Sequence, residues 1–171
     1  NYNSSYGVSA DDVQISGTPV VGAAAFADAN AGVGKTVTVN LSGASLTGAD
    51  AENYTISSTT TTANITPKAL TITGSTVANK QYDGNATATI SAGTLSGFVG
   101  SETVTVTGAG TFASVNVGNS INVATTYTLA NGSNGGLASN YSLANQTVTG
   151  NITPAWLAVI VGGLTGSTSK A

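Results

Sequence analysis

The chain has 171 residues, of which only 6% are charged; four lysines stand against seven acids, with 22 glycines and neither His nor Cys. A net charge of −3 excludes the basic footprint that nucleic acid or an anionic membrane surface requires. No His serves general acid–base work, no Cys serves as a nucleophile, and no acid or lysine pair has a supporting motif, so neither an enzyme nor a cofactor is expected.

In chain order, Val13-Gln14-Ile15 is the first stretch that alternates at period two, the pattern of a half-buried strand. Ala29 to Thr36 then satisfies the loose phosphate-binding pattern, with Gly34-Lys35-Thr36 at its end. A functional loop of that kind joins a strand to a helix, whose N-terminus holds the phosphate. Here the chain runs straight on into Thr36-Val37-Thr38-Val39, another strand pattern, and Gly118-Asn119-Ser120 in the second half keeps no lysine. The match is expected to be a turn. Leu70-Thr71-Ile72-Thr73 and Val104-Thr105-Val106-Thr107 alternate in the same way, and Gly, Asn and Asp clusters supply the turns between strands. No window carries a helical stripe, and the longest apolar run, Trp156 to Val161, is too short to span a bilayer as a helix. No membrane insertion is expected.

The chain repeats itself. FADANAG at 26–32 returns as FASVNVG at 112–118, Asn53-Tyr54-Thr55 as Asn140-Tyr141-Ser142, and Asn64-Ile65-Thr66-Pro67 as Asn151-Ile152-Thr153-Pro154. The offsets are 86, 87 and 87, so each unit is one small domain of several strands. An all-β fold of two tandem Ig-like β-sandwich modules follows. The expected boundaries are 1–66 for a first module lacking its opening strand, 67–153 for a complete second module, and 154–171 for a tail strand.

The order ITPKALTI, Lys80-x-Tyr82-Asp83-Gly84, Thr-Leu-Ser-Gly, FA-x-x-N-x-G, Asn-Tyr-x-Leu and ITP resembles the YDG-type repeats, grouped with the bacterial MBG modules. That resemblance covers residues 65–154 well and 11–67 in part. It implies a bacterial, extracellular or cell-surface location, in the tandem arrays of large secreted adhesins of the filamentous-haemagglutinin type. Tyr82, Asp83 and Gly84 are read as a structural turn, with Asp83 accepting backbone N–H groups and Tyr82 packed on the sandwich.

Ala155-Trp156-Leu157-Ala158-Val159-Ile160-Val161 reads as an opening strand with no repeat behind it. Leu157, Val159 and Val161 fall on one face, and Trp156, Ala158 and Ile160 on the other. Three arrangements stay open: a cut through a longer array, pairing of this strand with the first module of another chain, or closure onto its own first module. In the second, Trp156, Leu157, Val159, Ile160 and Val161 carry assembly, and the partner is the protein itself.

Other constellations are weaker. Asp11-Asp12 with Asp50 and Glu52 converges at best loosely and matches no calcium loop, so no metal is expected. Nine Asn-x-Ser/Thr triplets admit glycosylation, but four of them belong to the repeat motifs themselves. A Lys–Asn crosslink would need a buried lysine beside an acid, and Lys80 is the position to check. Thr-rich strands suggest a flat hydroxyl array, which a twisted sandwich does not keep. A non-enzymatic stalk or fibre protein is the expected function. The alternative is an adhesin segment recognising a glycan or host surface through its loops, which would gather aromatics there; the ten aromatics instead follow the repeat motifs.

Overall fold

The computed structural model describes residues 11–16, 24–41 and 43–158. These are almost entirely β, with two short 3-10 turns at Ala51–Asn53 and Ala138–Asn140 and no α-helix among the described residues. The chain divides into two compact units, Asn1–Lys68 with Ser139–Tyr141 and Ala69–Ala138 with Ser142–Ala171.

The first unit holds β1 (Gln14–Ser16), β2 (Ala24–Phe26), β3 (Gly32–Val39), β4 (Ser45–Thr47) and β5 (Thr59–Ile65). β1 pairs with β4, and a second sheet runs β2-β3-β5, all antiparallel. The second unit holds β6 (Lys68–Thr73), β7 (Thr76–Val77), β8 (Lys80–Gln81), β9 (Thr87–Ser91), β10 (Thr94–Ser96), β11 (Val104–Phe112), β12 (Gly118–Asn131), β13 (Tyr141–Leu143) and β14 (Gln146–Thr153). A six-stranded sheet, β7-β9-β11-β12-β14-β8, stands with a three-stranded sheet, β10-β6-β13, as a sandwich.

The large sheet curls. Residues 76–82 cross from one of its edges to the other: Ala78 donates to Thr89 O on β9 (3.0 Å), and Tyr82 donates to Thr153 O at the end of β14 (2.8 Å). β8 pairs with β14 in parallel, whereas the sheet's other ladders are antiparallel. Inside the curl sits the core, Ala88, Phe112, Val123 and Ile152, flanked by Val77, Ile90, Ile121 and Val148. Alternation explains its origin: on β12 and β14 Val123, Val148 and Ile152 face in, while the threonines other than Thr125 face out.

A polar latch ties β6 to this sheet. Thr125, 1% exposed, donates to Gln146 O (2.8 Å) and accepts from Gln146 N–H (3.2 Å). The Gln146 amide then donates to Ile72 O (3.1 Å), and the Tyr127 hydroxyl donates to Ser75 Oγ (2.8 Å). Each buried polar group thereby keeps a partner, which is what makes its burial tolerable.

The first unit has the same hairpin without the cover. Phe26 pairs with Val37 as Phe112 pairs with Val123, 86 residues on. Yet Phe112 is 3% exposed and Phe26 is 41% exposed. The strand β5 is exposed along nearly its whole length, whereas β14 buries Gly150 and Ile152. Among the described residues, the first unit holds no counterpart of β6 through β10. Residues 1–10, which fall at the register of β9 and β10, lie outside the described residues.

Candidate functional site: two lysine-locked turns

The two Asp-x-Asn triplets of the chain, Asp28-Ala29-Asn30 and Asp83-Gly84-Asn85, fold alike, and a lysine closes each. In the second, Asp83 Oδ1 accepts Asn85 N–H (3.0 Å), the short-range bond by which Asp makes a turn. Lys80 Nζ lies 2.7 Å from Asp83 Oδ1, 3.0 Å from Asn85 O and 2.9 Å from Asn85 Oδ1. Asn85 Oδ1 also accepts Thr87 N–H (3.0 Å), carrying the lock into β9. Gly84 has φ +77° with open space around it, so backbone conformation rather than room calls for glycine. Tyr82, expected to pack on the sandwich, is 43% exposed; its backbone N–H, bonded to Thr153 O, is what anchors it.

In the first unit, Asp28 Oδ1 accepts Asn30 N–H (2.8 Å), and Lys35 Nζ reaches both that carboxylate and Asn30 O (2.9 Å). This is the lysine of the phosphate-loop match. It is spent on the turn preceding its own strand.

The glycine of the match is explained by the strand as well. Gly34 lies within β3, where the register with β5 shifts between Gly32 and Lys35. It has φ +66°, and its N–H donates to Asn64 Oδ1 (2.8 Å). In the second unit the register shifts between Gly118 and Ile121, Ser120 has φ +52°, and its N–H donates to Asn151 Oδ1 (2.8 Å). The match is thus a β-bulge inside a strand, not the expected turn. Its counterpart is Ser120-Ile121-Asn122, two residues beyond the triplet that sequence comparison aligned. Ile121 lies over Gly118 as the Lys35 stem lies over Gly32. The turn lock is replaced there by Ser114 Oγ, which accepts Asn116 N–H (3.0 Å). The same bonds give Asn64 and Asn151 of the repeated Asn-Ile-Thr-Pro a structural task.

Both locks hold their carboxyls below the usual range. For Asp83 the leading cause is the bond from Lys80, then the Asn85 N–H; for Asp28 it is Lys35, then Asn30. A carboxyl whose folded pKa lies under its unfolded 3.8 adds its stabilisation fully above that value. The contribution fades as pH falls through the lowered folded value. The double variant Asp28→Asn/Asp83→Asn is therefore expected to melt below the parent at neutral pH, with the gap closing well under pH 3.8. Melting curves across pH check this; a gap that persists in acid would contradict it.

A groove of about 420 Å³ lies over the second lock, lined by Asn79, Lys80, Asp83 and Asn85. Asn79 Oδ1 accepts Asn151 N–H (3.1 Å), so each of these four side chains is engaged with a neighbour or with backbone. For a Lys80–Asn85 crosslink, Asp83 would have to act as a protonated acid; it is 48% exposed in its side chain and held as a carboxylate.

Three further acids, Asp11, Asp12 and Asp50, serve a loop. Asp12 N–H donates to Asp50 Oδ2 (2.8 Å), Ala49 N–H donates to Asp12 Oδ2 (3.3 Å), and the Tyr54 hydroxyl donates to Asp11. That last bond raises the Tyr54 pKa. No group of three metal-ligating side chains occurs among the described residues. In the tail, Trp156 and Leu157 are 93% and 88% exposed, while Val159, Ile160 and Val161 lie outside the described residues.

A β-rich unit, doubled in the sequence at an offset of 86–87 and carrying a Tyr-Asp-Gly turn in its second copy, defines a tandem β-repeat protein. The family model of the YDG domain matches residues 2–62 and again residues 66–149, so the chain belongs to the YDG-domain family. No curated protein and no solved structure matches it.

Proposed function

We propose that the chain is a non-enzymatic structural repeat of a bacterial surface stalk or fibre, exposed outside the cell. The observation that carries this reading is the use to which its few charges are put. Lys35, Lys80, Asp28 and Asp83 form two turn locks; Asp12 and Asp50 cap a loop. Groups that could face a substrate hold the backbone instead, as suits a module that is repeated for length. A surface rich in Ser, Thr and Asn keeps such a module hydrated with little charge. The absence of cysteine is compatible with an oxidising exterior.

The test is exposure on intact cells that produce the chain. Antibodies raised against residues 1–171 are expected to label unbroken cells, and external protease is expected to remove the label. Signal obtained only after lysis would overturn the reading.

A further inference from the structure

Within the described residues, Gly or Ser follows Asn at three places: Asn119-Ser120, Asn131-Gly132 and Asn134-Gly135. An asparagine before so small a residue is open to attack on its own side chain. The next backbone nitrogen adds to the side-chain Cγ, ammonia leaves, and a cyclic imide results. Water then opens the ring to aspartate or isoaspartate, so the net change is one water gained and one ammonia lost. In sequence the two Asn-Gly pairs are equivalent. The fold separates them.

All three asparagines are exposed, so access does not set the order. The attacking nitrogen does. Its N–H must be unbonded, with the proton released to water as the ring closes. Ser120 N–H donates to Asn151 Oδ1 (2.8 Å), and Gly132 N–H donates to Gly136 O (3.0 Å). Asn131 is also the last residue of β12, opposite Val104, and its Oδ1 accepts Ala138 N–H (2.8 Å). A Cβ on Gly132 would collide with Thr103 O, so the backbone there has no room to rearrange.

Gly135 differs on each count. Its N–H meets no acceptor among the described residues, and a Cβ there would meet nothing within 4 Å. Gly135 has φ +83° and follows Asn134 at φ +56°, a left-handed conformation that a non-glycine residue holds at a cost. The turn is pinned on either side, by Ser133 N–H on Thr103 Oγ1 (3.0 Å) and by Gly136 N–H on Ser133 O (3.1 Å). Asn134 is held through its side chain, Nδ2 donating to Ser101 O (2.8 Å). Asp83-Gly84, the chain's Asp-Gly pair, is closed by charge: its route needs a protonated carboxyl, and Lys80 with the Asn85 N–H keeps Asp83 a carboxylate.

We propose that Asn134 is a self-modifying position of the folded chain. Gly135 N closes on Asn134 Cγ, and the residue ages to isoaspartate or aspartate while Asn119 and Asn131 persist. The product sets a carboxylate oxygen where the Nδ2 donor faced Ser101 O, so that bond cannot re-form and one negative charge is added. The inference stands apart from the surface reading.

The experiment incubates the full chain at mildly alkaline pH, folded and in guanidinium chloride, and follows each site by mass spectrometry with fragmentation. The folded chain is expected to convert Asn134 at least about tenfold faster than Asn131 or Asn119, the factor that one retained hydrogen bond imposes on the reactive population. In guanidinium chloride the two Asn-Gly pairs are expected to convert at equal rates. Isoaspartyl methyltransferase is expected to label the aged folded parent and Asn131→Gln, but not Asn134→Gln, because glutamine closes such a ring far more slowly. The central comparison lies within the unaltered chain, so it is read even where a variant fails to fold. Equal rates at Asn131 and Asn134 in the folded chain would overturn the proposal. So would a folded Asn134 that persists while the unfolded chain converts, or a preference for Asn134 that is as large in guanidinium chloride.

Discussion

Phe112→Ala is expected to cost the second unit about 3–5 kcal/mol, the range for removing a fully buried aromatic ring. The same change at Phe26 is expected to cost the first unit only about 1 kcal/mol, because a ring that keeps much of its contact with water has less burial to lose. The two residues occupy equivalent positions, each opposite a valine in an antiparallel ladder. They differ in cover, 3% against 41% exposure. Phe112 packs inside a sheet whose edges are joined by residues 76–82, with Val123 and Ile152 beside it. Calorimetric scans or denaturant titrations of the two variants check this. Equal losses would mean that the first unit is closed over Phe26 in solution.

The second large effect concerns a close approach. A Cβ on Gly150 would stand 2.8 Å from Val77 Cγ1 and 3.1 Å from Phe112 Cε1, so Gly150→Val overpacks the core, at about 1–3 kcal/mol. The equivalent residue of the first unit is Ala63, which pairs with Lys35 as Gly150 pairs with Ile121. Ala63 is exposed, and Ala63→Val is expected to change stability by no more than about 0.5 kcal/mol. One position thus demands glycine in one repeat and tolerates a side chain in the other. The neighbours from residues 76–82 make the difference, and the first unit has no described counterpart of them. A large loss from Ala63→Val, in the same titrations, would count against an open first sheet.

Much of this is legible in the sequence because it is periodic. Alternation in Thr36–Val39, Leu70–Thr73 and Val104–Thr107 marks strands that the structure forms as parts of β3, β6 and β11. The fixed offset identifies the repeat. The Tyr82-Asp83-Gly84 turn can be read as a turn, since Asp followed by Gly is a local signal. Its lysine lock cannot, because the partner lies outside the triplet. The first lock escapes sequence reading altogether, although both share a readable signature: Asp-x-Asn with a lysine three residues before or seven after. The bulge is also hidden. Ser120 takes a backbone angle that its type seldom adopts, held there by the side chain of Asn151 on the neighbouring strand. The two-residue offset in aligning the lysine's counterpart follows from that. Gln146 and Tyr127 are unremarkable until the fold brings them to Ile72 and Ser75.

The most direct measurement is amide hydrogen exchange followed by mass spectrometry on the full chain. Peptides of β12 and β14 are expected to be strongly protected, while peptides of β5, exposed along nearly the whole strand, exchange well before them. Protection of β5 equal to that of β14 would contradict the account.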